Sequence, residues 1–194
     1  MNRLSHYPSA CFFVIACPLM SLLNGCGAGP AAKIAPLGPE NAQKAMEAYD
    51  KDGNGALSAE ELKQSPPLLA NATQIDTDRD HAISLAELTG RMEGIAAGAL
   101  YIGLSVRITD QGRPVEGATL TLIPEPFMGD AYPKFSGTSG PGGYCPTTSE
   151  GAQLPGAPAC WYRAEVTKPG AGTPVVKGLE ISSDTTGNRV EIAL

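Results

Sequence analysis

Two twelve-residue stretches carry oxygen-bearing side chains at spacings suited to a hard cation. The first runs Asp50-Lys51-Asp52-Gly53-Asn54-Gly55-Ala56-Leu57-Ser58-Ala59-Glu60-Glu61, with oxygens at its first, third, fifth, ninth and twelfth positions. The second, Asp76-Thr77-Asp78-Arg79-Asp80-His81-Ala82-Ile83-Ser84-Leu85-Ala86-Glu87, repeats that pattern in register. A hard divalent ion such as calcium takes about 6–8 oxygens at about 2.3–2.6 Å. The first stretch offers Asp50, Asp52, Asn54, the carbonyl of Ala56, Ser58 (directly or through water) and both oxygens of Glu61. The second offers Asp76, Asp78, Asp80, the Ala82 carbonyl, Ser84 and Glu87. Ser58 with Glu61 also reads as a capping box opening a helix, which explains the end of the loop but not the alternating acids before it.

These loops resemble those of the EF-hand family, and the first matches at every ligand position. Gly55 occupies the sharp turn, where glycine adopts positive φ without a Cβ penalty. The second loop departs there: His81 replaces the glycine, and histidine is among the non-glycine residues enriched at positive φ. His81 is expected as a strained turn residue rather than as a ligand, since the site needs oxygen. The resemblance implies that the hands pair, with Leu57 and Ile83 bridging the two loops.

The elements that must position these loops are short. Pro39 opens a helix as its first residue, and Ala42, Ala45, Met46 and Tyr49 form its apolar face. Ser65-Pro66-Pro67 ends one helix and starts another. The last helix runs from about Leu85 to Gly94 or Gly98. Leu57, Leu62, Leu68, Leu69, Ile75, Ile83, Leu85 and Leu88 are the expected core of the pair. A fold of this size usually needs a staple, so calcium is expected to contribute to folding itself.

From about Ala99 the period changes to two. Leu100, Ile102, Leu104, Val106 and Ile108 form one alternating run. Ala118, Leu120 and Leu122 form a second, Tyr162, Ala164 and Val166 a third, and Val190, Ile192 and Leu194 a last, with shorter candidates near Phe135 and Val176. About seven short strands predict an antiparallel β-sandwich. Val106-Arg107-Ile108-Thr109-Asp110-Gln111-Gly112-Arg113-Pro114-Val115-Glu116-Gly117-Ala118, Gly137 to Tyr144 and Cys160 to Val166 resemble the carboxypeptidase regulatory-like, transthyretin-like sandwiches. Cna-B-type and other immunoglobulin-like sandwiches are close competitors. The expected fold class is therefore α+β and multidomain: an EF-hand pair over 39–98, then a prealbumin/Ig-like antiparallel sandwich over 99–194.

Residues 1–26 read as a separate leader. Arg3 precedes an apolar run from Cys11 to Leu23 that is short for a bilayer span. Leu23-Asn24-Gly25-Cys26 then resembles the lipobox of bacterial lipoproteins, in which the cysteine is lipidated and becomes the first mature residue. Ordinary cleavage near Ala28 and a short N-terminal membrane anchor are the competing readings. Gly27 is not the aspartate that retains lipoproteins at the inner membrane, so the resemblance implies lipid anchoring at the outer membrane or cell surface. Gly27 to about Gly38 is a flexible tether rich in Gly, Ala and Pro. Of five cysteines, Cys145 and Cys160 remain after the leader and the lipidated residue are set aside. In an oxidising compartment they are expected as a disulfide closing about fifteen residues, worth about 3 kcal/mol. Buried free thiols, or metal ligands lacking further partners, are the alternatives.

Composition narrows the function. Glycine and proline together number 40 of 194 residues, which favours turns and extended segments over long helices. The net charge is −6, and no basic patch suits nucleic acid. Only two histidines exist, His6 in the leader and His81 in the second loop, too few for zinc or Ser-His-Asp chemistry. Cys145 lacks a histidine base, and Glu116 with Asp110 reads as a solvated rim. The expectation is a calcium-binding, non-enzymatic envelope lipoprotein with a structural or adhesive role. The alternative is a module binding a polysaccharide or a protein, with Trp161 and Tyr162 as a stacking platform and calcium fixing only the geometry. An exposed Trp161 favours that alternative, and a buried one favours the structural reading.

Overall fold

The computed structural model describes residues 34, 36–98, 101–146, 156–184 and 189–194, all within one compact unit spanning Ala32–Leu194. The leader, the lipobox cysteine, most of the tether and Leu100 lie outside the described residues.

The helical part begins with α1 (Pro39–Tyr49), which has proline in its first turn and buries Ala42, Ala45, Met46 and Tyr49, the face expected from the spacing. After the first loop come β1 (Ala56–Ser58) and the single-turn α2 (Ala59–Leu62). Helix α3 (Pro66–Ile75) starts at the proline pair, where a missing N–H costs nothing. The second loop leads into β2 (Ala82–Ser84) and α4 (Leu85–Ala97), capped at Gly98. Strands β1 and β2 pair antiparallel with Leu57 opposite Ile83, both fully buried. Leu62, Leu68, Ile75 and Leu88 join the core as expected. Leu69 and Leu85 do not: they are 44% and 37% exposed. Leu69 follows the buried Leu68 and Leu85 is the first residue of α4, and a helix turned inward presents only about one stripe to the core.

Ten strands follow among the described residues: β3 (Tyr101–Ile102), β4 (Ser105–Asp110), β5 (Arg113–Pro114), β6 (Thr119–Pro124), β7 (Phe135–Thr138), β8 (Tyr144–Pro146), β9 (Ala157–Pro158), β10 (Cys160–Thr167), β11 (Val175–Ile181) and β12 (Arg189–Ala193). One sheet has the order β11-β10-β6-β7; another has β12-β4-β5, with β8 also paired to β4. The short β3 pairs with β9. Two details correct the expected strand layout. The alternating run from Leu100 to Ile108 is broken between Ile102 and Ser105, and its halves join different sheets. Strand β12 lies parallel to β4, with Val190 opposite Val106, so the sheets are not purely antiparallel. Alternation reports which face is buried and carries no information on strand direction.

Strand β10 is buried on both faces at its start, through Trp161 and Tyr162, and on one face beyond. Tyr162, Ala164 and Val166 point one way, and Tyr162 meets Phe135 edge-on at 5.9 Å. Trp161 and Arg163 point the other way, the side where α3 packs on β10 and β11. The approach of α3 is close: a Cβ added to Gly178 on β11 would lie 2.0 Å from the Pro66 carbonyl oxygen. Helices and sheets thus share one hydrophobic core.

The expected disulfide is absent. Cys145 on β8 and Cys160 at the start of β10 are both buried and free. They belong to different sheets, and each Sγ rests 3.8 Å from a neighbouring carbonyl oxygen, that of Pro146 or Trp161. Burial pushes the Cys145 thiol up to about 11 and raises that of Cys160 further, so both are held as inert thiols.

Candidate metal centre

Each loop is built from side-chain oxygens that accept backbone N–H groups of the same loop. Asp50 Oδ1 accepts from Gly53 N at 2.8 Å and Asp50 Oδ2 from Gly55 N at 2.9 Å. Asp52 Oδ1 accepts from Asn54 N at 3.1 Å, and Asn54 Oδ1 from Ala56 N at 2.8 Å. The second loop repeats the scheme: Asp76 Oδ2 accepts from His81 N at 3.1 Å, Asp78 Oδ1 from Asp80 N at 3.1 Å, and Asp80 Oδ1 from Ala82 N at 2.8 Å. These bonds curl the backbone so that alternate side chains face one point. The curl needs left-handed residues, which are Gly53 and Gly55 at φ 71° and 86°, then Arg79 and His81 at φ 63° and 71°. His81 therefore adopts the turn conformation expected of it.

The twelfth residue of each loop closes it. Glu61 Oε2 accepts from Ser58 N at 2.8 Å and Ser58 Oγ at 2.7 Å, while Oε1 accepts from Lys51 N at 2.7 Å. Glu87 Oε2 accepts from Ser84 N at 2.9 Å and Ser84 Oγ at 2.8 Å, and Oε1 from Thr77 N at 2.7 Å. Ser58 and Ser84 cap the helices that follow, and the two glutamates complete reciprocal capping boxes. Capping and loop closure are therefore one arrangement. The Ser58 N–H and hydroxyl, then the Lys51 N–H, lower the Glu61 carboxyl to about 2. Glu87 also falls to about 2: burial pushes it up, but the Ser84, Thr77 and Asp78 donors outweigh that.

Carboxylate oxygens of Asp50, Asp52 and Glu61 lie within 4.8 Å of one another, as do those of Asp76, Asp78 and Asp80. Asn54, Ala56 and Ser58 sit in the first loop, and Ala82, Ser84 and Glu87 in the second, at the places their spacing assigned. Like charges so close repel unless a cation lies among them. Asp76 Oδ1 is buried without a hydrogen-bond partner, an oxygen that an ion would satisfy. An all-oxygen donor set on a flexible loop suits calcium better than zinc.

Other acids mentioned above lie elsewhere. Asp110 pairs with Lys168 Nζ at 2.9 Å, and Glu116 is exposed. Trp161 and Tyr162 are fully buried and offer no stacking surface. Two buried acids, Glu125 and Glu180, with arginine partners, carry no signal in the local sequence. Glu125 follows β6 and accepts from Tyr49 Oη at 2.5 Å, with Arg163 Nη2 at 3.6 Å from its other oxygen. Arg91 on α4 pairs with Glu180 on β11 and with Asp184. Nothing local in the sequence marks these groups, because each partner lies at least 38 positions away.

Residues 42–64, which contain the first loop, match the family model described as EF hand. No curated protein matches the chain. The match and the acidic clusters together describe a calcium-type metal site.

Proposed function

We propose that this chain is a calcium-binding envelope lipoprotein with a structural or adhesive role and no catalytic activity. The observation that carries the calcium reading is the duplication of one hydrogen-bond scheme in two loops joined through Leu57 and Ile83. In each loop the carboxylates are drawn together, and backbone and serine donors lower the twelfth-position carboxyl to about 2. Calcium would be held by Asp50, Asp52, Asn54, Ala56, Ser58 and Glu61, and by Asp76, Asp78, Asp80, Ala82, Ser84 and Glu87. It supplies the charge that the clustered acids lack.

The two four-stranded sheets are read as a sandwich of the carboxypeptidase regulatory-like kind. The apolar residues Val106, Ile108, Leu120, Leu122, Tyr162 and Ala164, drawn from both sheets, support this by belonging to one core. Burial of Trp161 favours the structural reading over the polysaccharide-binding alternative, which loses its stacking platform. The lipid anchor rests on Leu23-Asn24-Gly25-Cys26 and the apolar leader before it.

Calorimetric titration of the full chain with calcium, beside thermal melts in calcium and in chelator, tests the metal reading. Two binding events with a raised melting temperature support it, and Glu61→Gln or Glu87→Gln each removes one event. No heat and no shift overturns it. Mass spectrometry of the chain expressed in a bacterium tests the anchor: a lipid adduct on Cys26 that is lost in Cys26→Ala supports it, and an unmodified chain refutes it.

A further inference from the structure

Two paths lead from the two hands to one buried side chain. The first starts at Tyr49, the last residue of α1 and the neighbour of Asp50. Asp50 N still bonds Met46 O at 2.9 Å, so the first ligand and the last turn of α1 move together. Tyr49 meets Phe127 edge-on with ring centroids 6.1 Å apart, and Phe127 lies 6.1 Å from Trp161. Tyr49 Oη also donates to Glu125, whose own N–H donates to Trp161 O at 3.0 Å.

The second line starts at Glu87, the closing residue of the second loop. Arg91 lies one turn further along α4, on the same face. Its guanidinium holds Glu180, a side chain only 1% exposed, and Glu180 Oε2 accepts the Trp161 indole N–H at 3.0 Å. Trp161 is the only tryptophan in the chain and is fully buried.

We infer that Trp161 is a latch through which calcium occupancy of both loops is coupled to the docking of the helices on the β11-β10-β6-β7 sheet. The inference rests on the calcium reading of the loops. A ligand shifts a conformational equilibrium only through a difference in its interaction with the two states. That difference is present here: the ordered loops bring carboxylates together, and the same order sets the last turn of α1 and the first turn of α4. Those turns carry Tyr49 and Glu87, and the contacts that reach Trp161 do so through the buried Phe127, Glu125 and Glu180. Coupling is reciprocal, so loosening the latch weakens calcium binding by the factor that calcium strengthens the latch.

The test follows Trp161 emission in the full chain during a calcium titration run alongside calorimetry. The expected result is an emission change with the same midpoint as the heat, reversed by chelator. Two variants then loosen the latch without touching a ligand: Tyr49→Phe, which removes the hydroxyl donated to buried Glu125, and Arg91→Met combined with Glu180→Gln, which removes both members of the ion pair. Variants that retain the native far-ultraviolet circular dichroism are expected to bind calcium about 5–50-fold more weakly. Heat without any change in Trp161 emission overturns the latch and leaves the calcium reading intact. Folded variants with unchanged affinity also overturn it. Absence of heat overturns both.

Discussion

At the level of single residues, His81 is the departure with the clearest consequence. It holds φ 71° where the first loop has glycine. A left-handed conformation costs a residue with a Cβ about 1–2 kcal/mol. Glycine there would lose that strain but carry about 0.5–1 kcal/mol more unfolded-chain entropy. His81→Gly is therefore expected to stabilise the chain by between zero and about 1.5 kcal/mol, read from chemical denaturation in chelator. A loss of several kcal/mol would show that the imidazole has a structural role. The carboxylates have a definite sign. Glu61 is lowered from 4.5 to about 2 by its Ser58 and Lys51 donors, so its contribution is complete above the ordinary glutamate range. It is lost as pH falls from about 4.5 toward 2. In chelator, stability should fall over that window, and Glu61→Gln should fall less steeply. Equal slopes would mean that the carboxylate is not held as described. Glu125 has the opposite sign: burial raises its carboxyl, against the Tyr49 hydrogen bond and Arg163, so its ionisation costs stability as pH rises.

At the level of elements, capping and crossing decide how the hands sit. Ser58 was legible as a cap because its chemistry is local: the hydroxyl and the third following carboxylate find each other within one turn, and Ser84 with Glu87 repeats it in the structure. Ala42, Ala45, Met46 and Tyr49 were legible as a buried face for the same reason. Leu69 and Leu85 were not, since burial of a helix flank depends on what lies opposite. The crossing of α3 over β11 depends on Gly178, where a Cβ would collide with the Pro66 carbonyl at 2.0 Å. The nearest atoms there are backbone and cannot rotate away. Gly178→Ala is expected to destabilise the chain by about 1–3 kcal/mol through overpacking, measured by thermal melting. An unchanged melting temperature would show that the helix is free to shift.

At the level of the whole molecule, the helical pair does not stand alone on a thin core. Tyr49, Met92 and Leu68 belong to the same hydrophobic cluster as Trp161 and Leu120. Calcium bound only by the folded chain should stabilise it by about 2.7 kcal/mol per site at a hundredfold excess over Kd. That gain is expected to move a single melting transition shared by helices and sheets. Two separate transitions, only one of them calcium-sensitive, would contradict the shared core. The amino-acid sequence by itself determined the two loops and their clustered acids, the helix starts and the alternation of the strands, because each rests on contacts between residues close along the chain. Only the tertiary structure decided which strands pair, that β12 runs parallel to β4, that Cys145 and Cys160 are buried as free thiols, and that Glu125, Arg91 and Glu180 converge on Trp161. Those outcomes depend on which distant surfaces bury each other, and no local spacing encodes that choice.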